Sequence, residues 1–363
     1  MAIELKDAYG RPLNNLRLVV TRECNYRCFF CHLEGDPTGG PRPVGTSKPE
    51  MTPRDYYILA RAASRLGIRE FKITGGEPLV RRDIVDIVRS LTEGSEGRAE
   101  ISMTTNGYLL ATFAKQLRDA GLRRVNVSLH SLDRRTYAMI TGVDGLDMAL
   151  RGARVAKELG IDVKVNMTVM RTNIGEVWDL IDLAAREGFR VQLIELQPIN
   201  EGARAFGNEH VDLDSVEAQL RRRAVKSYVR PLHNRPIYVL QNGVVVELVK
   251  SYDNPVFCAG CTRIRVLPDG VLVPCINYRG PGVKLLPLIR GVPDDVAVDN
   301  AVRALAEVNL LRRPYYMWRL DTNGHPALHD ARLRLGIPKR SAPLPRIASG
   351  PGPRGTGTSL SRR

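Results

Sequence analysis

The first two hundred residues alternate between short apolar runs, which are typical of β-strands, and stretches that carry helix start and stop signals. Strands are predicted at 17–21, 70–74, 100–104, 124–129, 163–170 and 190–196. Helices are predicted at 53–66 and 83–91, up to 120, across 133–159 and up to 187, with Gly67, Gly121 and Gly160 as stops. The pattern therefore repeats a strand–helix unit six times.

Six such units indicate an α/β fold with a parallel sheet and helical crossovers. We expect an incomplete (β/α)6 barrel of the TIM-like kind, with a flat doubly wound sheet as the alternative. In either architecture a ligand binds at the carboxyl ends of the strands. Loops that begin near Cys24, Gly75 and Asn106 follow predicted strands. We therefore expect these loops to share one face.

The pattern changes after residue 200, and we divide the chain into 1–200, 201–337 and 338–363. Asn242-Gly243 and Asp269-Gly270 each lie between apolar runs, at 236–249 and 263–275, and predict two β-hairpins. A helix is predicted at 294–309. This C-terminal hairpin and helix extension is followed by a tail rich in Pro, Gly, Ser and Arg, which we expect to be disordered.

The chain carries a formal net charge of +15, and its last 26 residues hold six basic and no acidic residues. A basic protein attracts polyanions such as nucleotides, nucleic acid or anionic membranes, so charge alone does not choose among them. Neither a secretory signal nor an apolar run long enough to span a membrane is found. Six cysteines without a disulfide framework favour a reducing cytoplasm.

All six cysteines fall into two triplets. Cys24, Cys28 and Cys31 follow the first predicted strand with the spacing C-x₃-C-x₂-C, and Phe30 lies between the last two. Structural zinc needs four ligands, and ferredoxin clusters need a fourth cysteine. Three thiolates instead leave one iron of a 4Fe–4S cluster open for a small molecule. This spacing is typical of radical S-adenosylmethionine enzymes, and we interpret the triplet as a ligand set for such a cluster.

The second triplet has the spacing C-x₂-C-x₁₃-C and brackets the second predicted hairpin. It consists of Cys258, Cys261 and Cys275. Arg263 and Arg265 follow closely, and the alternation of a strand places both guanidiniums on one face. A zinc ribbon is the alternative, but it requires a fourth ligand. We favour a second 4Fe–4S cluster, whose open iron could bind a purine nitrogen or oxygen.

Polar residues interrupt several apolar strands. Lys164, Asn166 and Thr168 alternate with valines and a methionine, and Asn126 and Ser128 alternate with apolar residues in the same way. Lys72 and Arg17 also lie between apolar neighbours. A buried unpaired cation is costly, so several cations on interior faces imply an anion among them. A triphosphate is a natural candidate.

The loop Gly75-Gly76-Glu77-Pro78 follows the second strand. Glycines allow the backbone to approach a ligand closely, and Glu77 can accept a hydrogen bond from an ammonium group. An ordinary turn before a helix is the alternative.

Together these motifs resemble the GTP 3′,8-cyclases of molybdenum cofactor biosynthesis, a radical S-adenosylmethionine family. The resemblance extends from about residue 10 to about residue 313. The motifs that carry it are Gly10-Arg11-Pro12, Leu16-Arg17-Leu18, the stretch from Thr21 to Cys31, the stretch from Ile73 to Asp83, Thr104-Thr105-Asn106-Gly107, Ala120-Gly121-Leu122, the stretch from Val125 to Leu129, Val163-Lys164-Val165-Asn166 and the stretch from Phe257 to Arg265. Among the departures, Lys72 replaces a common arginine, and Phe30, His130, Gln192 and Gln197 also differ from many relatives.

The resemblance implies a role for each matching position. Cys24, Cys28 and Cys31 are implied as ligands of the S-adenosylmethionine cluster, and Cys258, Cys261 and Cys275 as ligands of the auxiliary cluster. Gly76, Glu77 and Ser128 are implied as S-adenosylmethionine contacts. Arg17, Lys72, Thr104, Lys164, Arg263 and Arg265 are implied as GTP contacts, and Arg17, Arg263 and Arg265 also as catalytic residues.

The resemblance further implies the radical S-adenosylmethionine type of partial barrel and a lyase that converts GTP to (8S)-3′,8-cyclo-7,8-dihydroguanosine 5′-triphosphate. The cofactors would be two 4Fe–4S clusters and S-adenosylmethionine. The implied partners are a reduced ferredoxin or flavodoxin type of electron donor and a downstream cyclic pyranopterin monophosphate synthase. A homodimer is a candidate assembly, and neither membrane nor stable nucleic-acid binding is expected.

Two alternatives stay open. A radical S-adenosylmethionine enzyme with one auxiliary cluster could act on a peptide or on another nucleotide. A zinc-stabilised nucleic-acid-binding protein would explain the charge, but it would not explain six strand–helix units with polar interiors.

Overall fold

The computed structural model describes residues 4–35, 43–46, 51–314, 318–320 and 326–328. Six strands and the six helices between them lie within residues 15–195. The strands are β1 (Asn15–Val19), β2 (Glu70–Thr74), β3 (Glu100–Thr105), β4 (Leu122–Ser128), β5 (Asp162–Val169) and β6 (Arg190–Glu195). The helices are α1 (Pro53–Arg65), α2 (Ile84–Gly94), α3 (Leu110–Asp119), α4 (Arg134–Thr141), α5 (Leu146–Glu158) and α6 (Val177–Glu187).

β1 to β6 lie side by side in chain order, and each neighbouring pair is parallel. A doubly wound sheet reverses its strand order at a switch point, and this sheet does not. The predicted partial (β/α)6 barrel is therefore confirmed, and the doubly wound alternative is wrong.

The C-terminal region adds strands to both edges of that sheet. Its elements are α7 (Glu201–Glu209), α8 (Asp214–Arg223), β7 (Ala224–Arg230), β8 (Arg235–Leu240), β9 (Val245–Val249), α9 (Pro255–Ala259), β10 (Arg263–Val266), β11 (Val271–Val273), β12 (Val283–Lys284), α10 (Leu286–Ile289), α11 (Asp294–Leu310), β13 (Trp318–Leu320) and β14 (Pro326–Leu328). β13 pairs with β14, and the other strands form one mixed, open sheet in the order β12-β11-β10-β1-β2-β3-β4-β5-β6-β9-β8-β7.

Both predicted hairpins and the predicted helix at 294–309 are present, as the antiparallel pairs β8–β9 and β10–β11 and as α11. β7, β12, α7 and α8 were not predicted. The sequence also did not reveal that β9 pairs in parallel with β6 and that β10 pairs in parallel with β1. The pairing of β10 with β1 places the second cysteine triplet and its arginines beside the strand that precedes the first triplet.

The strands divide their side chains between two faces. Val163 and Val165 are fully buried in the apolar core, whereas Lys164 between them faces the interior cavity of the sheet. At the start of α1, Thr52 accepts a hydrogen bond from the Asp55 amide, and the Asp55 carboxylate accepts one from the Thr52 amide. This capping box confirms the predicted helix start.

The predicted tail at 338–363 lies outside the described residues. Within the described part of the chain, no helix combines the length and apolar character needed to cross a bilayer.

Candidate active site

A cavity of about 340 Å³ extends along the interior face of the parallel strands to the loops at their carboxyl ends. Every site residue singled out from the sequence lines it. They are Cys24, Cys28, Cys31, Gly76, Glu77, Ser128, Arg17, Lys72, Thr104, Lys164, Cys258, Cys261, Arg263, Arg265 and Cys275. Residues as far apart in the chain as Arg17 and Cys275 thus line one cavity.

The first cysteine triplet lies in the loop that leaves β1. Its backbone is held against the end of α4, where the amides of Arg27 and Phe29 donate to Thr141 and Ile140 at 2.9 and 3.2 Å. All three thiols are free and partly buried. Burial raises the pKa of Cys24 to about 12. A thiolate there needs a bound cation, and three sulfur donors facing one cavity fit a 4Fe–4S cluster.

The ligands of an iron–sulfur cluster need not converge on one point, because each cysteine binds a different iron. Among the described residues, no group of three or more His, Cys, Asp or Glu side chains is arranged to hold a single metal ion.

The loop after β2 lies directly against the loop after β1. The amide of Gly76 donates to the Thr21 carbonyl, and the amide of Glu77 donates to the Glu23 carbonyl, both at 2.8 Å. A Cβ atom on Gly76 would lie 2.1 Å from the Glu23 oxygen, so only glycine fits. This close approach explains why the motif needs glycine at this position.

The carboxylate of Glu77 is buried and already has protein partners. It accepts hydrogen bonds from the Leu79 amide, the Thr105 hydroxyl and the Asn106 amide at 3.0, 2.6 and 2.6 Å. Burial raises its pKa to about 7, although these donors oppose the shift. Glu77 therefore ties the loop after β2 to the end of β3.

We expect Gly76→Ala to lower the thermal stability and to weaken S-adenosylmethionine binding. Its methyl group would overlap backbone, which cannot move as a flexible side chain can, and such overpacking typically costs about 1–3 kcal/mol. Thermal unfolding and equilibrium dialysis of S-adenosylmethionine measure the two effects. Gly175→Ala is the matched control, because a Cβ atom at Gly175 meets nothing within 4 Å. Equal behaviour of the two variants would contradict the argument.

The second triplet lies next to β10, which flanks β1 on the side opposite to β2. Cys258 lies in α9, Cys261 follows that helix, and Cys275 follows β11. Burial raises the pKa of Cys275, while Arg265 and Arg11 oppose the shift. The three cysteines are partly buried and form no disulfide, so this donor set also fits a cluster with one open iron.

The sheet register aligns the cations. Arg265 on β10 is paired with Arg17 on β1, which is paired with Lys72 on β2. Arg263 is paired with Asn15 in the same way. Its Nε donates to Asn15 Oδ1 at 3.0 Å, and no carboxylate among the described residues pairs with it. Three adjacent strands therefore present a row of positive charge to the cavity.

Part of this charge is neutralised by the chain itself, which corrects the expectation that a bound anion alone would do so. Glu34 is 4% exposed and accepts hydrogen bonds from Arg17, one of them at 2.6 Å from Nε. Its carboxylate lies 3.8 Å from Arg265 Nε. Burial alone would raise the pKa of Glu34, but Arg17, His32 and Arg265 hold it well below its ordinary value.

Glu247 on β9 likewise neutralises cations that line the cavity. It forms a short buried ion pair with Lys164 and also pairs with Arg235 at 3.0 Å and Arg230 at 3.4 Å. Burial lowers the pKa of Lys164 to about 8, although Glu247 opposes the shift. Neither carboxylate was predicted from the sequence. Glu247 interrupts an apolar run, which is the signal that revealed Lys164, whereas no such pattern surrounds Glu34.

Some of the cationic groups between Glu34 and Glu247 are not paired with a carboxylate. Lys72 Nζ donates only to neutral acceptors among the described residues, Asn126 Oδ1 at 2.7 Å and the Met103 carbonyl at 3.1 Å. Burial and the neighbouring cations lower its pKa well below its ordinary value. The Nε atoms of Arg235 and Arg265 are buried without a hydrogen-bond partner in the described structure. The middle of the cavity therefore suits an anion.

Two families match the chain, and together they cover most of it. The radical SAM superfamily matches residues 18–184, and Molybdenum Cofactor Synthesis C matches residues 189–315. Among solved structures, Streptococcus suis SuiB bound to S-adenosylmethionine superposes with a TM-score of 0.55 at 17% identity. That match covers 75% of this chain and 63% of SuiB, and it supports the fold alone.

Curated relatives are much more similar. A protein of Aeropyrum pernix named "Probable GTP 3′,8-cyclase" is 44% identical over 339 residues, which cover 92% of this chain and 94% of the relative. A protein of the same name from Saccharolobus solfataricus is 40% identical over 86% of this chain and 99% of its own length.

The fold and the site thus define a radical S-adenosylmethionine enzyme. Identity at this level over nearly the whole length also defines the family within that class. The chain belongs to the GTP 3′,8-cyclase family.

Proposed function

We propose that this enzyme converts GTP to (8S)-3′,8-cyclo-7,8-dihydroguanosine 5′-triphosphate in an early step of molybdenum cofactor biosynthesis. The observation that carries the proposal is the convergence of two cysteine triplets and a cation row on one cavity, in which Lys72 and Arg263 have no carboxylate partner among the described residues. A radical source on one side and an anion site beside a second triplet on the other suit a purine nucleoside triphosphate.

Cys24, Cys28 and Cys31 hold the 4Fe–4S cluster that the superfamily uses, with S-adenosylmethionine beside it. When bound, these two groups supply the electron and the 5′-deoxyadenosyl radical that takes a hydrogen atom from the substrate. Gly76 would present its backbone to the methionyl group, Glu77 fixes that loop, and Ser128 at the end of β4 lines the same cavity. These residues would orient S-adenosylmethionine and shield it from water.

Cys258, Cys261 and Cys275 would hold a second cluster, which would supply a binding position for the guanine. Arg263 and Arg265 line the cavity near this triplet, and Lys72, Arg17, Thr104 and Lys164, which line it elsewhere, would face the ribose and the triphosphate. With the base at the second triplet and the radical source at the first, the ribose would lie between them, which suits removal of the 3′ hydrogen and bond formation between C3′ and C8.

The remaining partners follow from this chemistry. The reaction needs a one-electron donor, for which we propose a reduced ferredoxin or flavodoxin, and a cyclic pyranopterin monophosphate synthase consumes the product. We place the reaction in the cytoplasm, because none of the six cysteines forms a disulfide and two clusters need a reducing environment. We leave a homodimer as the proposed assembly.

The test is an anaerobic assay with reconstituted protein, dithionite, S-adenosylmethionine and GTP deuterated at C3′. We expect a cyclised isomer of GTP and 5′-deoxyadenosine that carries the deuterium. Deuterium-free deoxyadenosine formed at the same rate without GTP would contradict the assignment. Deoxyadenosine that depends on a peptide or another nucleotide would favour the alternative substrate class. Zinc in place of iron would instead support the nucleic-acid-binding alternative.

We expect Arg265→Ala to weaken GTP binding and to leave the iron content unchanged. Arg265 is buried beside the second triplet, and the loss of a charge-assisted contact of this kind costs about 2–5 kcal/mol. At 1.4 kcal/mol per tenfold, Kd should rise by at least about tenfold. Equilibrium dialysis with GTP and iron analysis provide the two readouts. Arg118→Ala, which removes an exposed guanidinium, is the control. Loss of iron from Arg265→Ala would refute the assigned role.

A further inference from the structure

The loop that carries Cys258 and Cys261 is held from behind by a buried ionic cluster of Asp7, Arg11 and Arg312. Arg11 Nη1 donates to the Cys258 carbonyl at 2.9 Å, and Arg312 Nη2 donates to the Cys261 carbonyl. The side chains of Asp7, Arg11 and Arg312 are only 0%, 7% and 1% exposed. Two buried guanidiniums thus donate hydrogen bonds to the backbone of two cysteines of the second triplet.

Further contacts make this cluster rigid. Asp7 pairs with Arg11 Nε at 2.8 Å and lies 3.6 Å from Arg312. Arg312 Nη1 also donates to Asn309 Oδ1 at 2.9 Å, and Asn309 Nδ2 donates to the Lys6 carbonyl at 2.8 Å. These contacts therefore connect the N-terminal turn at Lys6 and Asp7 to the end of α11, behind the second triplet. With two cations and one carboxylate, the Asp7–Arg11–Arg312 cluster carries a net charge of +1.

The charge around the two triplets differs. Arg263 and Arg265 line the cavity beside the second triplet, and the Asp7–Arg11–Arg312 cluster lies behind it, so positive charge prevails there. Around the first triplet the charges are mixed. Glu77 and Arg27 lie near Cys24, and Glu34 near Cys31 is paired with Arg17. The potential of an iron–sulfur cluster depends on nearby charge, hydrogen bonding and solvent exposure.

We propose that the Asp7–Arg11–Arg312 cluster sets the reduction potential of the second iron–sulfur cluster, holding it above that of the first. Reduction adds one electron to the cluster, and buried guanidiniums favour the added negative charge. These are positioning residues, since they act through the backbone of Cys258 and Cys261 and through their charge. The inference rests on the second cluster of the proposed function.

The test is an EPR-monitored redox titration of the reconstituted holoenzyme. Arg11→Gln and Arg312→Gln should make the potential of the second cluster more negative, and Asp7→Asn should make it more positive. We expect about a tenfold change in the reduction equilibrium, which is about 59 mV for a one-electron couple. The first cluster is the internal reference and should not shift. Arg312→Lys keeps the charge and should restore most of the wild-type potential.

Several outcomes would overturn the inference. Shifts of the same sign in Asp7→Asn and Arg312→Gln would indicate only a general loosening of the loop, and so would equal shifts in both clusters. If Arg312→Gln loses its second cluster, Arg11→Gln and Asp7→Asn still provide the opposed pair. Wild-type protein that binds iron for one cluster only would refute the proposed second cluster as well. Unchanged potentials with both clusters present would refute this inference alone.

Discussion

Cys28→Ala is expected to abolish 5′-deoxyadenosine formation, whereas Cys258→Ala should still form it and yet make no cyclised product. The two triplets face one cavity but arise from loops more than 200 residues apart in the chain. Each variant should lower the iron content from about eight to about four per chain, because each removes a ligand of one 4Fe–4S cluster. Iron analysis and chromatography of the products measure these effects.

The two variants serve as controls for each other, since both replace one partly buried cysteine by a smaller apolar residue. Alanine is preferred to serine because a serine oxygen could still bind iron. Cys258→Ala protein that keeps about eight irons would show that the second triplet is not a cluster ligand set. Deoxyadenosine from Cys28→Ala would remove the first triplet from the radical source.

Glu247→Gln is expected to lower the free energy of unfolding by about 3–5 kcal/mol, the usual cost of removing one partner of a buried ion pair. Glu247 is 2% exposed, and its partners Lys164 and Arg235 are 3% and 9% exposed. The variant keeps the shape of the side chain but leaves these cations without their carboxylate. Denaturant unfolding followed by circular dichroism measures the loss.

GTP or inorganic triphosphate should restore part of this stability, because an anion in the cavity can take the place of the lost carboxylate.

Burial alone would raise the pKa of Glu247, but Lys164, Arg235 and Arg230 outweigh it and hold that pKa well below the ordinary 4.5. The ion pair therefore stabilises the fold above about pH 4.5, and its contribution is lost as the pH falls further. The difference between wild type and variant should shrink accordingly.

Asp299→Asn is the matched control for Glu247→Gln. Asp299 also pairs with an arginine, but its side chain is 58% exposed and that of Arg65 is 47% exposed. Exposed pairs contribute about 0–1 kcal/mol, so this variant should be nearly neutral. A similar loss in both variants, or no effect of triphosphate on Glu247→Gln, would contradict the role of Glu247 as an internal counter-anion.

Local patterns predicted most of the barrel. The start of α1 follows from Thr52 and Pro53, and the two hairpins follow from Asn242-Gly243 and Asp269-Gly270. In each case a few neighbouring residues set the backbone geometry. β7 was not predicted because most of it is exposed and lacks the alternation of a half-buried strand.

The site was only partly visible in the sequence. Lys164 could be found because a charged residue interrupts an apolar strand, but its partner Glu247 lies 83 residues away. Their contact depends on the parallel pairing of β6 with β9, in which Gln192 is opposite Glu247. Arg312 and Arg11 are separated still further along the chain. No local pattern specifies such a pair.

The sequence by itself determined the chemistry of this protein: two sets of three thiols, a glycine loop that permits close backbone approach, and cations on strand faces. These properties depend on residue type and short spacing, which are local. Only the tertiary structure decided how the charge is divided, with Glu34 and Glu247 neutralising the ends of the cation row and the Asp7–Arg11–Arg312 cluster lying behind the second triplet. Electrostatic interactions depend on distance through space, and the pairing of β1 with β10 and of β6 with β9 sets those distances.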